Sequence, residues 1–156
     1  MKNSVFKSFT FLGLLALSGS LIGQNYDLST PEATVKSLFK SMYDGDSTLA
    51  KLVFTKDASL NSVFTTKQGE QKINEGNVQT FINAIGSTHD EVWDERISNL
   101  SIKIDADLAH AWMDYSFYLG DKFSHCGVNA MHLIRIENQW KIFQIIDTRR
   151  KTNCNF

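Results

Sequence analysis

From Glu91 onward the apolar residues of this chain change rhythm, and that change limits the fold more than anything else in the sequence. "VWDERISNLSIKI", "LAHAWMDYSFYL", "FSHCGVNAMHLIRI" and "WKIFQIIDTR" follow a period near two, separated only by "DAD", "GDK" and "ENQ". Side chains alternate between the two faces of a strand. Three residues are too few for the crossover that parallel neighbours need, so each strand must turn back antiparallel to the one before.

Ahead of this meander the period is helical. In "LSTPEATVKSLFKSMYDGD" the residues Val35, Leu38, Phe39, Met42 and Tyr43 form one apolar stripe. Thr30 suits the cap with Pro31 at the first helical position, or Ser29 with Glu32 forms a capping box. Asp44-Gly45-Asp46 stops the helix. Ser47 caps a second, shorter one through about Phe54, with Leu49, Leu52 and Val53 inward. "ASLNSVFTTKQGEQKI" reads as a small hairpin turning at Gln68-Gly69. "NVQTFINAIGS" reads as a third helix, with Val78, Phe81, Ile82 and Ile85 on one side and Gly86 as its stop. Helices gathered early and strands late specify an α+β domain.

The 156 residues provide for one such domain. The first stretch, "MKNSVFKSFTFLGLLALSGSLIGQNYD", stands apart. Lys2 and Lys7 make a basic start, an apolar run follows through Ile22, and small residues precede polar Gln24-Asn25. That is the layout of a secretory signal peptide, with Gly23 or Ser20 at the cleavage point. The run falls short of the roughly 20 apolar residues a spanning helix needs. The reading is therefore residues 1–23 signal peptide and 24–156 domain, secreted or periplasmic, with no membrane attachment after cleavage. Of 16 basic and 17 acidic side chains, Lys2 and Lys7 leave with the leader, so 14 and 17 remain and the net charge is −3. A weakly acidic chain without a basic run is a poor partner for nucleic acid or for an anionic membrane surface.

The order of elements, the first helix ending in "MYDGD" and the terminal "WKIFQIIDT" resemble the cone-shaped fold of the nuclear transport factor 2-like superfamily. The stretch from "DLAHAW" to "KTNC" looks like the end of a group of bacterial SnoaL-like proteins. They pair an "HCG" strand with a "WKI…DTRR…C" strand and are sometimes labelled lumazine-binding. The resemblance implies a curved antiparallel sheet wrapped around three N-terminal helices, an apolar pocket inside the cone, and frequent homodimers through the sheet. It does not decide chemistry, because this scaffold hosts isomerases, dehydratases, hydrolases and silent domains alike. The strands agree with it: "AWMDYSFYL" carries bulky residues at both parities and needs cover on both faces.

Several residues are candidates for a site. His125 and Cys126 are adjacent on a strand and point to opposite faces, so they do not make a catalytic dyad. If "ENQ" makes a tight hairpin with Glu137 opposite Trp140, Cys126 falls opposite about Lys151, within reach of a tail carrying Cys154. Either a disulfide contributing on the order of 3 kcal/mol or two buried thiols would account for the pair. No CxxC or HxxxH spacing points to a metal, and nothing calls for a cofactor.

The polar residues on otherwise apolar strands are Asp114, Tyr115, His125, Asp147 and Arg149. Asp147 and Arg149 share parity and can form an ion pair. Alternatively, His125 with Asp114 or Asp147 supplies a general acid and base, since burial moves both kinds of pKa toward neutrality. Trp112, Tyr115, Trp140 and Arg149 are the candidates for holding a ligand. The aromatic residues Trp93, Phe117 and Tyr118, with those just named, fill a core or stack on a flat ring. Glu95 reads as a solvated strand residue beside Arg96, and His89, His110 and His132 as ordinary histidines. Phosphate loops, GxSxG elbows and HExxH helices are absent from the sequence.

Three functions fit. The first is an exported domain binding a small apolar or aromatic molecule. The second is a cofactor-independent proton-transfer enzyme of isomerase or dehydratase type. The third is a non-catalytic module that dimerises through its sheet.

Overall fold

A computed structural model describes residues 26–154, so the leader expected at 1–23 lies outside the described residues. Helix α1 spans Pro31–Asp44. Thr30 Oγ1 accepts the Ala33 amide at 3.1 Å, settling the choice between the two caps. Gly45, at φ 68°, closes the helix in the left-handed conformation that glycine adopts without a Cβ penalty. Helix α2, Ser47–Val53, is capped by Asp46 and not by Ser47. The Asp46 carboxylate accepts the Leu49 amide at 2.9 Å and the Tyr26 hydroxyl at 2.5 Å. A negative group there also suits the positive end of the helix.

Strands β1 (Phe54–Thr65) and β2 (Gln71–Asn77) form the early hairpin, and α3 (Val78–Ile85) follows with Asn77 as its cap. The meander is β3 (Trp93–Asp105), β4 (Leu108–Leu119), β5 (Lys122–Ile136) and β6 (Gln139–Arg149). The β5–β6 turn holds two residues, Glu137 and Asn138, at φ 49° and 65°, the mirror-image geometry that matches strand twist. Arg135, not Glu137, therefore faces Trp140. A register shift after His132 moves the far end of the pair so that Cys126 faces Arg150, one residue from the expected Lys151.

All six strands join one sheet in the order β2-β1-β6-β5-β4-β3. The early hairpin docks at the far edge, and β1 runs parallel to β6. This corrects the expectation of a wholly antiparallel sheet. The chain between β1 and β6 passes through α3 and the whole meander, ample for a parallel return that no turn could make. Breaks in register at Ser98/Ser101, Phe117/Tyr118 and His132/Leu133 add the local bends that bulges give a sheet.

The core lies between the helices and the concave face. Val35, Leu38, Leu49, Val53 and Ile85 meet Ala109, Met113, Met131, Leu133 and Ile142, all but fully buried. Each large apolar side chain so buried contributes about 1.5–3 kcal/mol. Thr34 Oγ1 donates to the Trp140 carbonyl at 3.1 Å and ties α1 to the start of β6.

Candidate functional site

Alternation along the strands sends one set of side chains into the cone. On β4 these are Tyr115, Phe117 and Leu119, and on β5 they are His125, Asn129 and Met131. Together with α1, α3, β1, β2, β3 and β6 they line a cavity of about 530 Å³ that stands half open to solvent. Leu38, Phe39, Met42, Phe81, Trp93, Phe117, Met131 and Ile145 give it apolar walls. Trp93 and Phe117 stand edge to face, with ring centres 6.3 Å apart.

Polar groups gather on the strands. Asp147 is buried and accepts from Ser62 Oγ at 2.5 Å and from Arg149 Nε at 2.9 Å. The Tyr115 hydroxyl donates to the Thr148 carbonyl at 2.9 Å and reaches Asp147 Oδ2 at 3.2 Å. Burial, with the carboxylates of Asp147 and Glu95 behind it, pushes the Tyr115 phenol well above its ordinary range. That hydroxyl remains a donor at every relevant pH. His125 contacts Ser124 Oγ through Nδ1 at 3.0 Å, and its ring lies 5.1 Å from that of Phe117. Burial and the Arg149 charge lower its pKa, which favours the neutral imidazole.

Glu95 completes the set. Its Oε1 accepts Asn129 Nδ2 at 2.7 Å, and the strand ladder puts it opposite Phe117. Burial pushes its carboxyl up to about 7, the Asn129 hydrogen bond opposing and the Asp147 charge reinforcing the rise.

The expected site residues divide accordingly. His125, Tyr115, Asp147 and Arg149 line the cavity together, and Asp147 and Arg149 form the same-face ion pair. Asp114 does not join them. It lies at the opposite parity of β4, where Asn99 Nδ2 donates to it at 2.8 Å. Trp112 shares that outer face and is 50% exposed, so it cannot touch a molecule in the cone. Trp140 is buried in the core below the cavity, near the Arg135 guanidinium, and does not line the cavity. His125 and Cys126 do face apart. Cys126 is bonded to Cys154, with Cα atoms 5.8 Å apart, which decides between the bridge and the two buried thiols.

Glu95, Asn129 and Ser62 were missing from the expected site. For Glu95 a signal existed: it shares parity with Trp93 and Ile97 in "WDERI", and an acid between two apolar residues of one face points inward. Asn129 likewise shares parity with His125 and Met131. Ser62 carried no local sign, since its partner is 85 residues away in sequence. Among the described residues no cluster of three or more His, Cys, Asp or Glu could hold a metal ion.

Solved structures share this architecture at low identity. A protein of unknown function from Mycobacterium tuberculosis matches with TM-score 0.62 and 15% identity over 78% of this chain and 70% of its own. An NTF2-like protein of unknown function from Shewanella baltica matches at 0.58 and 16%, over 76% and 90%. A protein of unknown function with a cystatin-like fold from Nostoc punctiforme matches at 0.60 and 14%, over 78% and 89%. Such likeness establishes the fold alone. No curated protein gives a significant match. Residues 27–145 match the model of the family described as "Putative lumazine-binding", and the chain belongs to that family, built on the nuclear transport factor 2-like fold.

Proposed function

We propose that the chain is an exported domain that binds a flat aromatic molecule with a polar edge inside its cone. One observation carries this reading: a half-open pocket of about 530 Å³ with aromatic and aliphatic walls and a few converging polar groups. Its volume falls within the roughly 300–1,000 Å³ usual for small-molecule sites. The family description adds heterocycles of the lumazine kind to the candidates. The disulfide supports an oxidising compartment, as the leader does. A second copy of the chain on the outer face of the sheet belongs to the same proposal.

Proton transfer by His125 with Asp114 or Asp147 has less support. Asp114 faces away, and both oxygens of Asp147 are already engaged by Ser62, Tyr115 and Arg149. The binding reading is tested by thermal unfolding of the purified mature chain with pterins, flavins, steroids and polyketides. A ligand at about 100 times its Kd stabilises the fold by roughly 2.7 kcal/mol. No stabilisation by any class would refute it.

A further inference from the structure

Glu95 is the one carboxyl of the cavity without a cation of its own. Asp147 has Arg149 at 2.9 Å, whereas the only hydrogen bond to Glu95 among the described residues is the Asn129 amide on Oε1. Its Oε2 makes no hydrogen bond there, and the residue lines the cavity. A carboxylate drawn partly out of water is costly unless its oxygens are satisfied. No protein group among the described residues takes that oxygen, which leaves it open to an occupant of the cavity.

We propose that Glu95, held in place by Asn129, selects the ligand by binding a heteroaromatic ring that presents two adjacent N–H donors, an amino group beside a ring N–H. The proposal rests on the small-molecule reading above and specifies its ligand class. An ionised carboxylate only accepts hydrogen bonds, so its complement is a pair of parallel donors. A ring with a carbonyl in place of the amino group sets oxygen against oxygen. Phe117, opposite Glu95 on β4, and Trp93, two residues before it on β3, offer ring surfaces for a flat molecule held by that edge.

The selection carries a pH dependence. The charged or titratable groups around Glu95 are Asp147 and Arg149 on β6, Tyr115 on β4 and His125 on β5. With its proton on, the carboxyl becomes one donor and one acceptor, which suits an N–H beside a carbonyl. Acidification therefore erodes the preference for the amino ring.

Pterin and lumazine differ in this feature, an amino group in one and a carbonyl in the other. Their affinities for the disulfide-intact mature chain and for Glu95→Gln are measured calorimetrically at about pH 7.5 and about pH 5.5. At the higher pH the wild type is expected to favour pterin by about tenfold, the effect of one charged hydrogen bond gained against a clash. Acid should shrink that ratio. Glu95→Gln should lose about tenfold for pterin and change little for lumazine. Equal affinity for the two rings in the wild type at the higher pH, or equal losses in the variant, overturns the proposal. Binding of steroids or other rings without N–H donors, while neither probe binds, overturns it too and leaves the cavity's binding role standing. Failure of every ring compound removes both. The wild-type comparison at two pH values decides the matter even if the variant does not fold.

Discussion

Burial keeps the Glu95 carboxyl protonated up to about pH 7, against 4.5 for the same group in an unfolded chain. Between those values the native state holds a proton that the unfolded state has lost, so stability falls as pH rises and levels off above about 7. Glu95→Gln keeps an amide where the acid was and removes the penalty. The variant should match the wild type near pH 4.5 and exceed it by on the order of 2 kcal/mol at pH 8, measured by urea unfolding. A gap that is constant with pH would contradict the burial of this group. Gly127 makes a steric prediction of the opposite sign. A Cβ there would meet the Thr148 carbonyl oxygen at 1.7 Å and Tyr115 Cε1 at 2.7 Å. Neither the backbone of β6 nor a ring hydrogen-bonded to that carbonyl can withdraw, so Gly127→Ala should cost about 3 kcal/mol or more in the same assay. The "HCG" of the sequence thus contains three residues with three directions: His125 to the cavity, Cys126 to the disulfide, and Gly127 under Tyr115.

At the scale of elements, turn chemistry and period made most of the structure legible. Gly45 and Gly86 end their helices where they were expected to, and the two-residue turn at Glu137-Asn138 fixes the β5–β6 pairing close to the anticipated register. The two-residue turn sets the pairing two positions from the anticipated one, and the shift at His132/Leu133, a bulge with no composition of its own to betray it, takes one of them back, so that Cys126 ends one position from its expected partner. That pairing brings Cys126 against Arg150 through two 2.9 Å backbone hydrogen bonds, and the tail then reaches back to it with Cys154. The bridge closes a loop of 28 residues. Loop-closure entropy sets its contribution at about 3.5 kcal/mol. Replacing both cysteines by serine should lower the midpoint of thermal unfolding by roughly 10 °C, and a reductant should do the same to the wild type. An unchanged midpoint would mean that the tail is held by other contacts.

The cavity and the outer face belong to the whole molecule, and here the sequence was least informative. The cone closes because β1 lies beside β6 and delivers Leu60 and Ser62 to a wall otherwise built by the meander, and no periodicity announces that parallel contact. Strand parity separates Trp112 and Asp114 from Tyr115 but does not say which of the two faces is concave, and it is Tyr115 that turns inward. The position of the other two gives the outer face its character. Trp112, Ala130 and Ile146 stand in register across β4, β5 and β6, and Trp112 and Ile146 are 50% and 36% exposed. A two-fold axis along β5 at Ala130 would lay Trp112 of each copy on Ile146 of the other, the self-complementarity that an isologous dimer requires. A stable contact of this kind buries on the order of 800 Å² per copy, with aromatic residues as its anchors. Trp112→Lys places a charge at that anchor without disturbing the cavity, which lies on the opposite side of the sheet. Light scattering should then find a dimer for the wild type and a monomer for the variant, with ring binding intact in both. A wild type that is monomeric at high concentration would leave the half-exposed Trp112 without the partner this arrangement assigns to it.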